Sequence, residues 1–161
     1  SAHGMNPNKK YWHDQIGFNF RLTNIQAALG LGQLERIESI LNSKIRLAKI
    51  YEKLLSKNSS FKFQQISKHT ESSYWLFTIF LKDDLINKRD EIISYLLSKG
   101  IESRPCFYPL HEMNPYSKYY KEAPKTSKYL AYSGISLPTG IFTTKEEIEY
   151  VCFELNNSLI I

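Results

Sequence analysis

The sequence predicts an α/β domain in which a long helix precedes a small sheet with helices packed on it. Apolar residues recur at three-and-four spacing from Leu34 to Lys57, which indicates an amphipathic helix. The run YWLFTIFL, from Tyr74 to Leu81, is almost continuously apolar, as expected for a buried strand. With 161 residues, the chain is long enough to bury the core of one ordinary domain.

Composition and charge restrict the class of protein. The chain has 42% hydrophobic, 23% charged and 14% aromatic residues, which is typical of a folded globular protein rather than a disordered one. No apolar run is long enough to span a bilayer, and the N-terminus lacks the basic-then-apolar layout of a secretory signal. We therefore expect a cytoplasmic protein that does not act at a membrane.

The first helix is predicted to begin after an irregular stretch, residues 1–22. Thr23 can accept the first free amide hydrogens, and Gln26 can reach back to Thr23 to complete a capping box. Small residues then leave one stretch of this helix nearly bare, which would let another backbone approach closely. These residues are Ala27, Ala28, Gly30 and Gly32.

The segment from Leu34 to Lys57 is predicted to be one long helix. It would run on the order of 35 Å, at about 1.5 Å per residue, which is more than a compact domain of this size requires. A helix of this length often connects two domains. The stripe that predicts it is Leu34, Ile37, Leu41, Ile45, Ala48, Tyr51 and Leu55.

A sheet and a helix are predicted next. The run from Tyr74 to Leu81 should be the central strand of this sheet, with Tyr74 and Trp75 in the core. Arg89 to Lys99 is predicted to be a helix that Gly100 ends in a left-handed turn. Residues 101–108 should form a second strand, at an edge or with a bulge because it contains a proline, Pro105.

The remaining part is predicted to be irregular before a last helix. Three prolines and several tyrosines predict no regular element over residues 108–124, and Ser136 to Gly140 should form a turn. Thr144 and Glu147 can form a second capping box. The helix that follows should pack through Ile148, Val151, Cys152, Leu155 and Leu159.

Two features argue against a metal site and a nucleic-acid site. Cys106 and Cys152 are far apart with apolar neighbours, which suits small buried thiols better than metal ligands or a disulfide. The net charge of +5 would suit a nucleic-acid binder, but the lysines are dispersed, often beside glutamates, and no nucleic-acid-binding motif is present. We expect no metal and no nucleic-acid partner.

Several motifs together resemble a known enzyme family. HGMNPNKKYWHDQIGFNFRLTNIQAALGLGQLERI, YWLFTIFL, GIESRPCFYPLHEMNPY and GISLPTG are similar to the C-terminal part of the DegT/DnrJ/EryC1/StrS family of sugar aminotransferases. The match runs from about His3 to the C-terminus. Within the family, SYWLF combined with ESRPCFYPLHEMNPY resembles perosamine-synthase-type enzymes, which aminate nucleotide-linked 4-keto-6-deoxy sugars.

The resemblance implies a fold and an assembly. Family members are fold type I enzymes that use pyridoxal 5'-phosphate (PLP) and form dimers with active sites at the subunit interface. It implies an interface loop and short helix on the large-domain side at 1–33, a linking helix at 34–57, and a small C-terminal α/β domain at 58–161. The homodimer would form through the loop from Gly17 to Arg21 and the adjacent helices.

The same loop carries the expected cofactor contacts. The residue matching Asn19 contacts the PLP phosphate in the family, and an amide between aromatic neighbours can donate to a phosphate without adding net charge. Without the resemblance, the residues favour a loop amide at Asn19 that satisfies its own backbone. Arg21 can either hold this loop in place or meet a phosphate group.

The expected substrate contacts lie near FYPLH. In the family the matching segment lies near the sugar nucleotide, and the histidine matching His111 is often close to the substrate. An imidazole can donate to a sugar hydroxyl, and Tyr108 can both stack and hydrogen-bond. Arg104 is a candidate for the nucleotide diphosphate, although an arginine at a strand end commonly just pairs with an acid.

The chain lacks a lysine in the context that matches the family's Schiff-base lysine. Transamination with PLP needs that lysine and an acid paired with the pyridine nitrogen, and in the family both lie upstream, in the large domain. We therefore expect this chain to be an inactive portion of a longer enzyme that moves an amino group from glutamate to a keto sugar. The alternative is a natural binding or regulatory module that uses the family's dimer surface.

Overall fold

The computed structural model describes Asn8, Phe18 and residues 21–113, 117–119 and 124–160. The chain divides into two units, residues 1–37 and residues 38–161. Helix α1 (Asn24–Leu34) belongs to the first unit, and the four-stranded sheet with its helices belongs to the second. No helix within the described ranges is both long and apolar enough to cross a membrane.

Helix α1 begins at the capping box that the sequence predicts. The amide of Gln26 donates to the Thr23 hydroxyl at 3.2 Å, and the Thr23 amide donates to the Gln26 side chain at 3.0 Å. No residue of α1 is buried, and its large apolar side chains are exposed. A Cβ added at Gly30 or Gly32 would meet no described atom within 4 Å, so the predicted close backbone approach stays a prediction.

Helix α2 (Ile37–Leu55) is the predicted long helix, shortened at both ends. A turn at residues 35–36 separates it from α1. Only the C-terminal half of the predicted stripe is buried, and there the Tyr51 hydroxyl donates to the Pro138 carbonyl at 2.8 Å. The Tyr51 ring also stacks on Phe77, with 4.9 Å between ring centroids. The buried residues of α2 are Leu47, Ala48, Tyr51 and Leu55.

The sheet has four antiparallel strands in the order β1-β2-β4-β3. They are β1 (Phe61–Phe63), β2 (Phe77–Leu81), β3 (Arg104–Pro105) and β4 (Gly134–Leu137). The structure confirms two predictions, because β2 lies in the interior of the sheet and Pro105 lies in an edge strand. Strand β1 was missed, and β4 replaces part of the turn predicted from Ser136 to Gly140.

The register divides the sheet into two faces. Ile79 lies opposite Ile135, and both are fully buried on what we call the apolar face. Thr78 lies opposite Ser136, and their hydroxyls are 2.9 Å apart on the other side, the polar face. Helices α2, α3 (Arg89–Ser98) and α5 (Lys145–Asn157) join the apolar face in one core. Their buried members include Leu47, Tyr51, Ile92, Leu96, Ile148, Val151 and Leu155.

The helices that follow the sequence pattern were predicted closely. Gly100 follows α3 with a φ of +75°, which is the expected left-handed turn. Helix α5 has the second predicted capping box, in which the Glu147 amide donates to the Thr144 hydroxyl at 3.2 Å. The reverse contact, from the Thr144 amide to the Glu147 carboxylate, is 2.7 Å.

The strand predicted over residues 101–108 was wrong in length, because only Arg104–Pro105 pair with β4. The irregular stretch was also wrong at its end. There helix α4 (Lys125–Ser133) begins directly after Pro124 and flanks the polar face, where the Tyr129 hydroxyl donates to the Leu81 carbonyl at 3.2 Å. Proline is compatible with the start of a helix, so Pro124 does not prevent α4 from beginning directly after it.

Candidate functional site

The segment from Cys106 to Met113, here called the FYPLH segment, leaves edge strand β3 and carries two predicted site residues. The Cys106 amide donates to the Gly134 carbonyl at 3.0 Å, which fixes its beginning. A Cβ at Gly134 would lie 2.6 Å from the Cys106 Cβ and 2.7 Å from the Leu130 carbonyl oxygen. A glycine at the start of β4 is therefore what lets this segment and α4 meet the strand.

Tyr108 and His111 lie three positions apart in this segment, with His111 in a short 3₁₀ helix, Leu110–Glu112. Tyr108 is 43% exposed, and its hydroxyl accepts a hydrogen bond from Arg89 at 3.0 Å. Its ring meets the Tyr132 ring edge-on, with 5.7 Å between centroids. His111 is half-buried. The two residues thus lie in the same surface segment.

Glu112 closes the segment against α4. Its carboxylate accepts from the Tyr132 hydroxyl at 2.6 Å, and Lys128 lies 3.8 Å from its other oxygen. The hydrogen bond to Glu112, and secondarily burial, raise the pKa of Tyr132 above the ordinary value for tyrosine. Tyr132 therefore stays protonated and keeps donating to Glu112 throughout the neutral range.

Arg104 lies at the sheet edge, and its guanidinium pairs with Glu102 at 2.7 Å. Both side chains are exposed, so this ion pair contributes little to stability. The contact is the pairing with an acid that the sequence left open as an alternative. A substrate phosphate at this position would have to compete with Glu102 for the same donors.

A cavity of about 670 Å³ borders Arg104, and Lys44 lies in it. The Lys44 ammonium donates to the backbone carbonyls of Trp75, at 3.2 Å, and Thr139. Burial lowers the pKa of the Lys44 amine. These contacts tie α2 to the backbone before β2 and after β4, which is a structural role.

Trp75 corrects the prediction that it belongs to the core, since it is 67% exposed and lines this cavity. The reason is local, because Tyr74 has a φ of +44° and strand pairing begins only at Phe77. The Trp75 ring stacks on Phe107 at 6.4 Å between centroids, with planes 14° apart. This exposed aromatic pair therefore connects the rim of the cavity to the FYPLH segment, in which Phe107 directly precedes Tyr108.

The predicted cofactor residues belong to the first unit. Asn19 lies outside the described residues, so its contact with a phosphate remains a prediction. Arg21 is described and exposed, just before α1. Both predicted roles of Arg21, holding the loop and meeting a phosphate, stay predictions.

Sequence reasoning missed Arg89, the first residue of α3. It is 4% exposed and contacts both α4 and the FYPLH segment. One signal could have revealed it, because a cation in the first turn opposes the helix dipole and therefore suggests another partner. That partner lies in distant parts of the chain and could not be identified from spacing.

Comparison with known proteins agrees with the resemblance in the motifs. The profile of the DegT/DnrJ/EryC1/StrS aminotransferase family matches residues 1–156. The GDP-perosamine synthase of Caulobacter vibrioides is 36% identical over 158 residues, which is 98% of this chain and 43% of that protein. The GDP-perosamine synthase of Escherichia coli O157:H7 is 37% identical over 153 residues, covering 95% of this chain and 41% of that protein.

A solved structure agrees with the fold. A Streptococcus pneumoniae protein assigned as a sugar aminotransferase, in its PLP form, superposes with a TM-score of 0.80 at 25% identity. The alignment covers 98% of this chain and 41% of that one. The chain therefore spans well under half the length of the relatives that it matches.

Proposed function

Because the chain belongs to the DegT/DnrJ/EryC1/StrS aminotransferase family, we propose that it is the C-terminal portion of a PLP-dependent sugar-nucleotide aminotransferase. The enzyme would transfer an amino group, from glutamate, to a nucleotide-linked keto-deoxy sugar for polysaccharide or glycan synthesis. The observation that carries this proposal is the identity of 36–37% to two GDP-perosamine synthases over nearly the whole chain. In this proposal 1–33 is an interface loop and short helix belonging to the large-domain side, 34–57 is the long linking helix, and 58–161 is the small domain.

Three residues of the second unit are proposed to bind the nucleotide sugar. Tyr108 and His111 would contact the sugar, and both are held in the FYPLH segment beside α4. Arg104 would bind the diphosphate, and its exposed guanidinium at the cavity rim supports this role. The exposed Glu102 that now pairs with Arg104 can give way to a phosphate because the pair is solvated.

The residues described here do not form a complete PLP site. Lys44 lies in the cavity with a lowered pKa, but its amine is engaged by two backbone carbonyls and is not placed to bind an aldehyde. When bound, PLP would supply the electron sink for amino transfer, and a lysine of the enzyme would hold it covalently. We propose that this lysine lies in the remainder of the enzyme, that Asn19 and Arg21 contribute to the phosphate site, and that this chain alone is inactive.

The surface of α1 supports a partner for this helix. Apolar side chains at helical spacing are exposed along it, and large exposed apolar patches usually mark contact surfaces. We propose that α1 and the loop from Gly17 to Arg21 form part of a homodimer interface. The exposed residues are Leu22, just before α1, and Ile25, Leu29, Leu31 and Leu34 within it.

The first test measures amination by the full-length protein that carries this chain. It should convert a nucleotide-linked 4-keto-6-deoxy sugar to an amino sugar only when glutamate is supplied, with GDP-, UDP- and dTDP-linked substrates compared by mass spectrometry. His111→Ala should raise the KM for the nucleotide sugar by roughly 2- to 10-fold, the value of one neutral hydrogen bond.

His69→Ala is the matched control, because His69 is exposed and no role is proposed for it. Absence of amination with every nucleotide sugar would contradict the proposed function. Equal kinetics for the His111→Ala and His69→Ala variants would remove His111 from the substrate site while leaving the reaction in place.

The second test concerns the cofactor. In the full-length protein, Asn19→Ala should weaken PLP retention by roughly 10- to 100-fold, since a hydrogen bond to a charged phosphate contributes roughly 1.5–3 kcal/mol. Retention is measured as the PLP absorbance left after dialysis against a competing buffer. Asn8→Ala is the control, because Asn8 is exposed in the same unit. Unchanged retention in Asn19→Ala would remove Asn19 from the site.

A further inference from the structure

Arg89 is a buried cation whose hydrogen bonds join three separate segments. Its guanidinium donates to the Ala131 carbonyl of α4 at 2.7 Å, to the Tyr108 hydroxyl at 3.0 Å, and to the neighbouring Asp90 carboxylate at 2.8 Å. A buried charge is unfavourable unless its donors are bonded. The position of Arg89 is thus fixed from α3, from α4 and from the FYPLH segment together.

Two rings also pack against this cation. The guanidinium carbon lies 5.5 Å from the centroid of the Tyr108 ring and 5.7 Å from that of the Tyr132 ring. Cation–π contacts strengthen when the groups are partly desolvated, as here. Tyr132 in turn donates to Glu112 at 2.6 Å, so the same group of side chains holds the far end of the segment.

The backbone of the segment is less constrained beyond Cys106. The described backbone hydrogen bonds there are local, from the Glu112 amide to the Pro109 carbonyl and from the Met113 amide to the Leu110 carbonyl, both at 3.0 Å. Such bonds shape the turn without attaching it to the sheet. The attachment is made by side chains, namely the group around Arg89, the stacking of Phe107 on Trp75, and the burial of Pro109.

The contact also decides how Tyr108 can hydrogen-bond. A guanidinium has donors and no acceptor, so the Tyr108 oxygen must accept from Arg89. The hydrogen of the hydroxyl is then directed elsewhere, and Tyr108 is 43% exposed. Its free direction therefore suits an acceptor atom on a ligand, such as a phosphate, carbonyl or hydroxyl oxygen.

We propose that Arg89 is a positioning residue that sets Tyr108 as a hydrogen-bond donor to an acceptor oxygen of the nucleotide sugar. This inference rests on the proposed function and adds a specificity element to it. Arg89 would not touch the substrate itself, and it would leave binding of the amino donor unaffected.

The test uses the full-length protein with Arg89→Lys, Arg89→Met and Tyr108→Phe. Each should raise the KM for the nucleotide sugar by about 3- to 30-fold, as expected for hydrogen bonds to or from an oriented donor, with the KM for glutamate unchanged. The double variant Arg89→Lys/Tyr108→Phe should be no worse than Tyr108→Phe alone, because Arg89 acts through that hydroxyl. If Arg89→Met does not fold, Arg89→Lys decides.

Ile92→Ala is the control for loss of stability, since Ile92 is buried in the same helix and belongs to the apolar core. It should lower the melting temperature at least as much as Arg89→Lys while the KM for the nucleotide sugar stays the same. A rise in KM for both substrates alike, or additive effects in the double variant, would overturn the proposal.

Hydrogen exchange separates this inference from the proposed function. The amides of residues 107–112 other than Pro109 should exchange faster in Arg89→Lys than in wild type or Ile92→Ala, whatever reaction the protein catalyses. Unchanged exchange would overturn the positioning role. If exchange rises but wild type shows no glutamate-dependent amination, the proposed function fails while the positional effect of Arg89 stands.

Discussion

The two faces of the sheet pack against their neighbours through different kinds of contact. On the apolar face, alternating residues of β2 and β4 pack with three helices, and most are fully buried. On the polar face, Thr78, Phe80 and Tyr129 line a cavity of about 860 Å³, and Gly134 contacts the start of the FYPLH segment at Cys106. Hydrophobic burial is spread over many contacts, whereas the polar face depends on a few specific contacts at long sequence separation.

The largest expected effect comes from the apolar face. Ile79→Ala should reduce the free energy of unfolding by about 2–5 kcal/mol, because Ile79 is fully buried in the interior strand and its removal leaves a cavity. Urea denaturation of this chain, followed by circular dichroism, measures the difference. Thr78→Ala changes the next residue of the same strand on the other face, where its hydroxyl meets Ser136.

Loss of that hydroxyl contact should reduce the free energy of unfolding by only about 1 kcal/mol. If Thr78→Ala proved as destabilising as Ile79→Ala, the stated difference between the faces would be wrong.

A smaller effect is expected where the polar face meets the FYPLH segment. Gly134→Ala should destabilise the chain by roughly 1–3 kcal/mol, since its Cβ would meet Cys106 and the Leu130 carbonyl at less than 3 Å. Gly30→Ala is the matched control in α1, where an added Cβ has open space.

In the control, alanine should leave stability unchanged or raise it by up to about 1 kcal/mol through helix propensity. Thermal unfolding monitored by circular dichroism compares the two variants. A neutral Gly134→Ala would mean that β4 and Cys106 can separate, and that the polar face is looser than described.

The smallest expected effect concerns the reactivity of the two thiols rather than the free energy of unfolding. Burial raises the pKa of the Cys152 thiol to about 12, and Cys152 is packed on the apolar face. Cys106 is half-buried and lines the cavity of the polar face. Iodoacetamide at pH 8 should therefore alkylate Cys106 first, because the thiolate is the reactive form.

Mass spectrometry of the tryptic peptides gives the alkylation rates of both cysteines, and the variants Cys106→Ser and Cys152→Ser assign them.

Because the raised pKa favours the protonated thiol in the folded state, the contribution of Cys152 to stability should be full below pH 9 and lost as the pH rises toward 12. Faster alkylation of Cys152 would show that the apolar core opens readily.

The same contrast explains what the sequence could predict. Periodicity and capping signals are local, so α2, α3, α5 and both capping boxes were found, as was the interior position of β2. The polar face was not, because its features arise from contacts between distant residues. Trp75 was assigned to the core because it belongs to an apolar run, and only the backbone at Tyr74 turns it outward.

The candidate site shows the same division. Motif resemblance pointed to Tyr108, His111 and Arg104, and the structure places the first two in one segment and the third at the neighbouring sheet edge. Arg89 could not be found in this way, because its role depends on α4 and on Tyr108 lying close to α3. Asn19 and its loop lie outside the described residues, so their role stays a prediction.

The central claim is that this chain belongs to a PLP-dependent aminotransferase longer than itself. The most direct measurement is made on the native source, by reducing an extract with borohydride, capturing the polypeptide with an antibody to this chain, and analysing it by mass spectrometry. We expect a polypeptide longer by roughly a full domain, with a pyridoxyl-modified lysine upstream of Ser1. A native polypeptide that begins near Ser1 and carries no pyridoxyl-lysine would contradict it.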